Sequence, residues 1–216
     1  MRPRCSAAIS ACCGPPLPDQ ATGCAAGAAG LDPAAVAIAV VIWAYRQAGL
    51  LPEAIAAALG QQGAPPLAVV VVDDGCPSPS TAAVAAQFAA AHPGRVYLLR
   101  QRNRGLSGAR NTGIDFALAA FPACRGVFFL DADNRLHPPF LARTFAALAA
   151  APPMTGWFYA DIDKFGDHEE CANGGEFSLL QLLVQNSCEA GSLVRREVFE
   201  AGLRFDTEMM RLGFED

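Results

Sequence analysis

The sequence lacks a hydrophobic run long enough to cross a membrane. Its longest apolar stretch, Ala34 to Ala44, falls far short of the ~20 residues that a membrane-spanning helix needs. The opening "MRPRCSAAISACCG" is too short and too rich in alanine for the apolar portion of a secretory signal. We therefore predict a cytoplasmic protein with no transmembrane segment in this chain, and peripheral contact with a membrane stays open.

The sequence also lacks an excess of basic residues. It has 16 Lys and Arg against 21 Asp and Glu, which gives a net charge of −5 at pH 7. Proteins that bind nucleic acid non-specifically carry a basic stripe, so we predict no nucleic-acid partner. A ligand that carries phosphate would then need local help from a metal ion, an arginine or a helix N-terminus.

Cysteines spaced for a metal or a redox motif are missing as well. Four of the eight cysteines lie in the first 24 residues, and the others stand singly at Cys76, Cys124, Cys171 and Cys188. No pair has the spacing of a zinc ribbon or of a thioredoxin motif. The chain of 216 residues is 52% hydrophobic and 17% charged, which is typical of one sizeable globular domain.

The sequence does contain a regular alternation of apolar runs and helical patterns. Residues 1–34 are Ala, Gly, Cys and Pro without a period, which predicts a flexible leader before a folded domain at 35–216. Short β-branched runs predict strands at 35–45, 67–75, 95–99 and 126–130. Helical spacing predicts helices at 50–63, 78–94, 107–122 and 138–150. This alternation predicts an α/β fold with a mostly parallel sheet and helices on both faces.

The pattern loosens after residue 153. "GWFYADI" predicts a strand, "FSLLQLLVQ" a helix, "AGSLV" a strand and "RREVFEAG" a short helix. The chain ends at "RLGFED", inside what reads as a motif. We therefore expect the sequence to be a fragment whose C-terminal part is missing.

Acidic residues follow three of the predicted strands. Asp73 and Asp74 lie at the carboxyl end of the second strand, Asp131 and Asp133 at that of the fourth, and Asp161 at that of the fifth. Aspartate is common in turns, which explains one such strand end more easily than three. Ligands of open parallel sheets bind at the carboxyl ends of the strands. Two carboxylates one residue apart suit Mg²⁺ or Mn²⁺, with ligand oxygens and water as the remaining donors.

A glycine-rich loop, "NRGLSGARNTG", leads into the third predicted helix. Backbone amides at a helix N-terminus bind anions, but the loop lacks the Gly-Lys-Ser/Thr of a P-loop. Arg110, near the start of this helix, pairs with a phosphate or is an ordinary surface arginine. The sequence alone leaves these two alternatives open.

Five segments resemble, in order, the family 2 glycosyltransferases, whose GT-A fold is a Rossmann-like three-layer α/β/α domain with a mostly parallel mixed sheet. The segments are "AVVIWAYRQAGLLPEAIAAALGQ", "VVVVDDGCPS", "NRGLSGARNTGIDFA", "FFLDADNRLHPPFL" and "FEAGLRFDTEMMRLGFED". The similarity covers about Val36 to Asp216. It implies metal-dependent, inverting transfer of a sugar from a nucleotide-diphospho-sugar, with a UDP-sugar favoured, to a hydroxyl of an unidentified glycan, lipid or protein acceptor.

The resemblance also implies roles for individual residues. Trp43 and Tyr45 would lie along the nucleobase, and Asp74 would accept a hydrogen bond from it. The loop at Gly105 and the side chain of Arg110 would approach the nucleotide.

The DxD element and the chain end carry the remaining implied roles. Asp131 would lie near the ribose and the metal, and Asp133 would coordinate Mg²⁺ or Mn²⁺ bridging the diphosphate. Asp216 would be the general base that takes the proton of the acceptor hydroxyl.

The sequence departs from the family pattern at two places and leaves rival functions to weigh. Trp43 to Arg46 replaces the usual Pro-Thr-Tyr-Asn, and Cys76 stands where Ser is common. A dehalogenase-type phosphatase carries its DxD on the first strand rather than the fourth. A sugar-nucleotide nucleotidyltransferase has a basic Gly-rich loop after its first strand, which is absent here. A nucleotide-sugar-binding domain without activity stays open as an alternative.

Overall fold

The computed structural model of the protein describes residues 30–159, 161–164, 170–172, 177–184 and 190–208. The strands are β1 (Ile38–Ala44), β2 (Leu67–Asp73), β3 (Val96–Arg100), β4 (Gly126–Asp131), β5 (Trp157–Tyr159), β6 (Ile162–Lys164), β7 (Glu170–Ala172) and β8 (Ser192–Arg195). The helices are α1 (Leu51–Leu59), α2 (Ser80–Ala91), α3 (Gly105–Ala120), α4 (Phe140–Ala150), α5 (Leu179–Leu182) and α6 (Arg196–Glu200). A short 3₁₀ helix at Pro33–Ala35 precedes β1.

Six strands form one mixed sheet in the order β3-β2-β1-β4-β8-β5. The first four are parallel to one another, whereas β8 is antiparallel to β4 and β5 is antiparallel to β8. β6 and β7 pair separately as an antiparallel two-stranded sheet. The predicted mostly parallel α/β sheet is therefore confirmed, with β1 near its centre.

The central strands are buried because helices cover both faces of the sheet. Every residue of β2 is buried, and only Trp43 of β1 is partly exposed. Alternate side chains of these strands contribute to two core clusters, one with α1, α2 and α4 and the other with α3 and α6. Each fully buried Val, Ile or Phe contributes about 1.5–3 kcal/mol. The β-branched runs are thus typical of parallel strands, which are buried on both faces of the sheet.

Helix α3 lies unusually close to β1. A Cβ atom at Gly113 would lie 2.4 Å from Cγ1 of Val41, closer than two non-bonded carbon atoms can approach. Glycine in a helix interior costs about 1 kcal/mol relative to alanine, and here it permits the helix to contact the strand. The N-terminal half of α3 is thereby held beside the carboxyl end of β1.

Two consecutive arginines, the last residue of β8 and the first of α6, bind the C-terminal ends of helices on opposite faces of the sheet. Arg195 is buried and donates hydrogen bonds to three carbonyl oxygens at or near the end of α4, those of Leu148 (2.5 Å), Thr155 (2.6 Å) and Ala151 (3.1 Å). Arg196 donates to two at the end of α3, those of Phe121 (2.8 Å) and Leu118 (3.1 Å). Arginine satisfies helix-terminal carbonyls and opposes the negative end of the helix dipole.

The structure differs from the predicted elements at several boundaries. α3 begins at Gly105, two residues before the predicted start, with its first residue at φ +67°. The strand predicted at 156–162 is confirmed over Trp157–Tyr159 as β5, but Ile162 belongs to β6 in the other sheet. Of the predicted leader, residues 30–34 are described and the rest lies outside the described residues, so the division at residue 35 stays a prediction. No described helix is long and apolar enough to cross a membrane.

Candidate functional site

The sheet topology brings the predicted acidic strand ends together. β2 and β4 flank β1 and run parallel to it, so their carboxyl ends meet at one edge of the sheet. In the register of the ladders, Trp43 pairs with Asp131 on one side, and Ala44 pairs with Asp73 on the other. The candidate site is therefore centred on the last two residues of β1.

Asp74 is fully buried at this edge and is held by two hydrogen-bond donors. Its Oδ1 atom accepts from Nε2 of Gln101 at 2.6 Å and from the backbone N–H of Arg104 at 2.8 Å. Its own backbone N–H donates to the carbonyl of Ala44 at 3.1 Å. A buried carboxylate is costly unless donors surround it, and here the protein supplies them from the loop that leads into α3.

The neighbouring Asp73 serves the turn after β2. Its Oδ2 atom accepts from Nε of Arg100 at 3.2 Å, and its Oδ1 atom accepts from the backbone N–H of Cys76 at 3.1 Å. Gly75 stands between them at φ +69°, where a Cβ atom would lie 2.5 Å from the backbone nitrogen of Asn103. This turn therefore requires glycine. The Asp73 side chain stabilises the turn, whereas the Asp74 side chain accepts hydrogen bonds from the loop before α3.

Arg110 forms an ion pair with Asp131 inside the site. Nη2 of Arg110 lies 3.1 Å from Oδ1 of Asp131, and the two side chains are 9% and 27% exposed. The guanidinium also stacks over the ring of Phe205, 5.3 Å from its centre. Of the two alternatives left open above, the surface arginine is wrong, because this side chain is buried. A phosphate contact of Arg110 stays a prediction.

Asp133 stands exposed just beyond β4. The turn that carries it is closed by a hydrogen bond from the N–H of Asn134 to the carbonyl of Asp131 at 3.0 Å, and Ala132 between the two aspartates is buried. Within the described ranges no group of three or more His, Cys, Asp and Glu side chains is arranged to hold a metal ion. Two carboxylates fit Mg²⁺ or Mn²⁺ only where substrate phosphates and water complete the coordination, which is common for Mg²⁺.

The aromatic residues predicted at the nucleobase lie at the end of β1. Trp43 is half-buried on the α3 face of the sheet, and its Nε1–H finds no hydrogen-bond partner in the part of the chain that the structure describes. Tyr45 follows, with the guanidinium of Arg46 over its ring at 5.2 Å. Arg46 itself has φ 60° and donates its backbone N–H to Sγ of Cys76 at 3.3 Å.

Several residues of the site were assigned no role from the sequence. Asn111 forms two hydrogen bonds with the backbone of Phe205, at 2.8 and 2.9 Å, and Asp115 binds Arg204. Helix α3 thereby holds the segment at 203–206. Asp216, predicted as the general base, lies outside the described residues.

A cavity of about 390 Å³ opens beside the end of β4. Phe128, Leu130 and Phe140 form its apolar part. Its polar part includes Asn134, Arg135, His137, Asp161 and Asp163. Asp161, the acid predicted after the fifth strand, is therefore exposed at this cavity rather than beside Asp74.

The sequence profile of glycosyl transferase family 2 matches residues 39–203, which include β2, β3 and β4 and all of β1 except Ile38. The chain belongs to this family. It is 38% identical over 115 residues to the succinoglycan biosynthesis protein ExoO of Rhizobium meliloti (strain 1021), an alignment that covers 53% of this chain and 30% of ExoO.

Solved structures of glycosyltransferases share the fold. TarS 1–349 of S. aureus superimposes with a TM-score of 0.61 and 16% identity, over 81% of this chain and 51% of that one. The mannosyltransferase PcManGT of Pyrobaculum calidifontis, solved with GDP-Man and Mn²⁺, gives 0.56 and 20%, over 82% and 50%. At these identities the likeness shows the GT-A fold alone. The chain spans about half the length of both structures.

Proposed function

We propose that this family 2 domain transfers a sugar from a nucleotide-diphospho-sugar, with a UDP-sugar as the preferred donor, to an acceptor hydroxyl. The observation that carries the proposal is the placement of Asp74 and Asp131 on either side of the end of β1. Ligands of open α/β sheets bind at this edge. TarS has been solved with UDP and with UDP-GlcNAc, which supports a nucleotide-sugar donor here.

The nucleobase would bind between Asp74 and the aromatic residues that follow β1. A fixed carboxylate accepts a hydrogen bond from a ring N–H, which uracil has and cytosine lacks at the corresponding position. The buried Nε1–H of Trp43 is a further donor for the nucleotide. A buried N–H group without an acceptor raises the free energy of the empty site, so a ligand that accepts its hydrogen bond would be favoured.

The diphosphate would bind at the DxD segment. Asp133 is exposed and accessible to a cation, and Asp131 is oriented by its ion pair with Arg110. A bound Mg²⁺ or Mn²⁺ supplies the positive charge that stabilises a leaving diphosphate. Arg110 adds a fixed positive charge at the same edge, which a protein with a net charge of −5 needs in order to attract a phosphate ligand.

The reaction would proceed with inversion, because a base on the acceptor side removes the proton while the nucleotide leaves from the opposite face. Asp216 is the residue proposed for this step, and a positioned base contributes on the order of 10²–10⁴ in rate. We further propose a glycan or glycoconjugate acceptor, since the name of ExoO assigns that relative to succinoglycan biosynthesis.

Isothermal calorimetry of the chain with UDP, with and without Mn²⁺, tests the proposed donor site. We expect Mn²⁺ to raise the affinity for UDP at least tenfold. If no nucleoside diphosphate binds with Mn²⁺ present, the proposal is wrong. Release of UDP from UDP-sugars, measured for the wild type and for Asp216→Asn, then separates an enzyme from a binding domain, because only an enzyme loses turnover on this substitution.

A further inference from the structure

We propose that Gln101 is a positioning residue for base selection, held by Thr112 and acting through Asp74. This inference rests on the proposed nucleotide site and adds to it the residues that determine which base is accepted. Gln101 belongs neither to the DxD segment nor to the glycine-rich loop, and Thr112 lies near the end of that loop's sequence, where the resemblance implies no role for it. Their role follows from the contacts that they make in the interior.

The three side chains form a continuous hydrogen-bonded chain inside the protein. Asp74 and Thr112 are 0% exposed and Gln101 is 6% exposed. Nε2 of Gln101 donates to Oδ1 of Asp74 at 2.6 Å, and the hydroxyl of Thr112 lies 2.5 Å from Oε1 of Gln101. The residues come from three places in the fold, after β2, after β3 and within α3. These hydrogen bonds therefore connect the side of the site proposed for the nucleobase to the helix that carries Arg110.

The orientation of the Gln101 amide is determined by Asp74. An ionised carboxylate accepts hydrogen bonds and cannot donate one, so the NH₂ group must face Asp74. The amide oxygen then faces the hydroxyl of Thr112 at 2.5 Å, and the same hydroxyl lies 3.0 Å from the carbonyl oxygen of Gly108, a second acceptor. If the amide were reversed, two acceptor oxygens would lie 2.6 Å apart, a repulsive contact. Only one arrangement of the amide satisfies all three side chains.

This arrangement fixes the position of the Asp74 carboxylate. Gln101 approaches Oδ1 from the end of β3, and the backbone N–H of Arg104 reaches the same oxygen at 2.8 Å from the loop before α3. With two donors the carboxylate has one orientation toward the base. Without Gln101 the carboxylate loses the donor that comes from the end of β3, so its position is less well fixed and a ring N–H is recognised less selectively.

A purely structural role for Gln101 makes a different prediction. Loss of a buried hydrogen bond would lower the free energy of unfolding but would leave the ratio of affinities for two bases unchanged. A positioning role changes that ratio. The ratio of the UDP affinity to the CDP affinity, measured with Mn²⁺ present, is therefore the quantity to compare between variants.

The experiment measures UDP and CDP binding by calorimetry for Gln101→Leu, Thr112→Val and Thr112→Ser. We expect Gln101→Leu to lower the UDP affinity about tenfold, equivalent to one strong hydrogen bond, and to lower the UDP/CDP ratio. Thr112→Val should lower the ratio less, and Thr112→Ser, which keeps the hydroxyl, should match the wild type. Thr112→Val should add nothing to Gln101→Leu, because the two residues act in series.

Gln101→Glu gives a second measurement that does not depend on the stability of the leucine variant. The introduced carboxyl can donate to Asp74 only when it is protonated, so the UDP affinity of this variant should recover as the pH is lowered. The wild type should show no such recovery. A folded Gln101→Leu protein with the UDP/CDP ratio of the wild type, or a Gln101→Glu protein without this pH dependence, would overturn the inference. A wild type that binds neither nucleotide instead refutes the proposed donor site itself.

Discussion

The side-chain amide of Asn111 binds the backbone of Phe205 through two hydrogen bonds. Nδ2 donates to the carbonyl oxygen at 2.8 Å, and Oδ1 accepts from the N–H at 2.9 Å. The preceding residue, Arg110, binds Asp131 and stacks on the ring of the same Phe205. Two consecutive residues of α3 therefore join the end of β4 to a segment that lies 94 residues from Asn111 in sequence.

Replacement of Asn111 by alanine should destabilise the fold. Both hydrogen bonds involve a buried side chain, and loss of a buried partner costs about 1–3 kcal/mol in the free energy of unfolding. Asn111→Asp should be at least as harmful, because it places a carboxylate against the Phe205 carbonyl. Urea unfolding measures both variants, with Arg102→Ala at an exposed position as the control within about 0.5 kcal/mol of the wild type. If Asn111→Ala is as stable as the control, the two hydrogen bonds between Asn111 and Phe205 do not stabilise the fold.

The sequence predicted the central sheet well, because four β-branched apolar runs separated by helical patterns allow few other folds. It also predicted that Asp74 and Asp131 lie at the carboxyl ends of two parallel strands of one sheet. It could not reveal the partners of Gln101 or Asn111. Polar uncharged side chains have no periodic signature, and these contacts join residues 27 and 94 positions apart.

The C-terminal half was predicted less well, and the reason is physical. The central strands are buried on both faces, so their whole length must be apolar. β5 is at the edge of the sheet, with Trp157 exposed and its neighbours half-buried. A short edge strand buries little apolar surface and so leaves a weak pattern. The sequence from Trp157 to Ile162 therefore does not show where one strand ends and another begins.

Asp133→Ala should abolish the dependence of UDP binding on Mn²⁺. Asp133 is the exposed carboxylate of the DxD segment and the metal ligand proposed above, so its loss should remove a protein ligand of the ion. Asp74→Ala is the matched comparison, since it should weaken UDP binding and leave the effect of Mn²⁺ intact. Calorimetry with each nucleotide, with and without Mn²⁺, distinguishes the two. Unchanged enhancement by Mn²⁺ in Asp133→Ala would rule out this carboxylate as a metal ligand.

Cys76 should react with iodoacetamide much faster than Cys124. Burial acts to raise the pKa of Cys76, but hydrogen bonds from the Thr81 hydroxyl and from the backbone amides of Arg46 and Ser78 outweigh it and leave the pKa below its usual value. Burial raises the pKa of Cys124. The reactive thiolate of Cys76 therefore forms at lower pH.

Peptide-resolved mass spectrometry after alkylation at pH 7 measures these rates. We expect at least a tenfold difference between the two cysteines. Thr81→Val should slow the labelling of Cys76, since it removes the hydroxyl donor 3.3 Å from the sulfur. Equal rates at both cysteines would show that the hydrogen bonds around Cys76 do not favour its thiolate.

Arg195→Met should lower the free energy of unfolding by about 2–4 kcal/mol, because the protein loses three hydrogen bonds to carbonyl oxygens at or near the end of α4. Arg195→Lys keeps the charge but not the planar group that reaches all three, so it should recover only part of the loss. Arg143→Met, an exposed arginine of the same helix, is the control in urea unfolding. If Arg195→Lys has the free energy of unfolding of the wild type, the charge of Arg195 explains its contribution and the planar group does not.

The absence of a side chain at Gly113 has a mechanical consequence. Since α3 touches Val41 without an intervening side chain, no soft layer separates the helix from the central strand. Arg110, Asn111 and Thr112 sit one turn or less from that contact and have little freedom to shift independently of β1. Whatever displaces one of these three residues should therefore strain the other two, so the residues around the end of β1 are expected to respond as a unit.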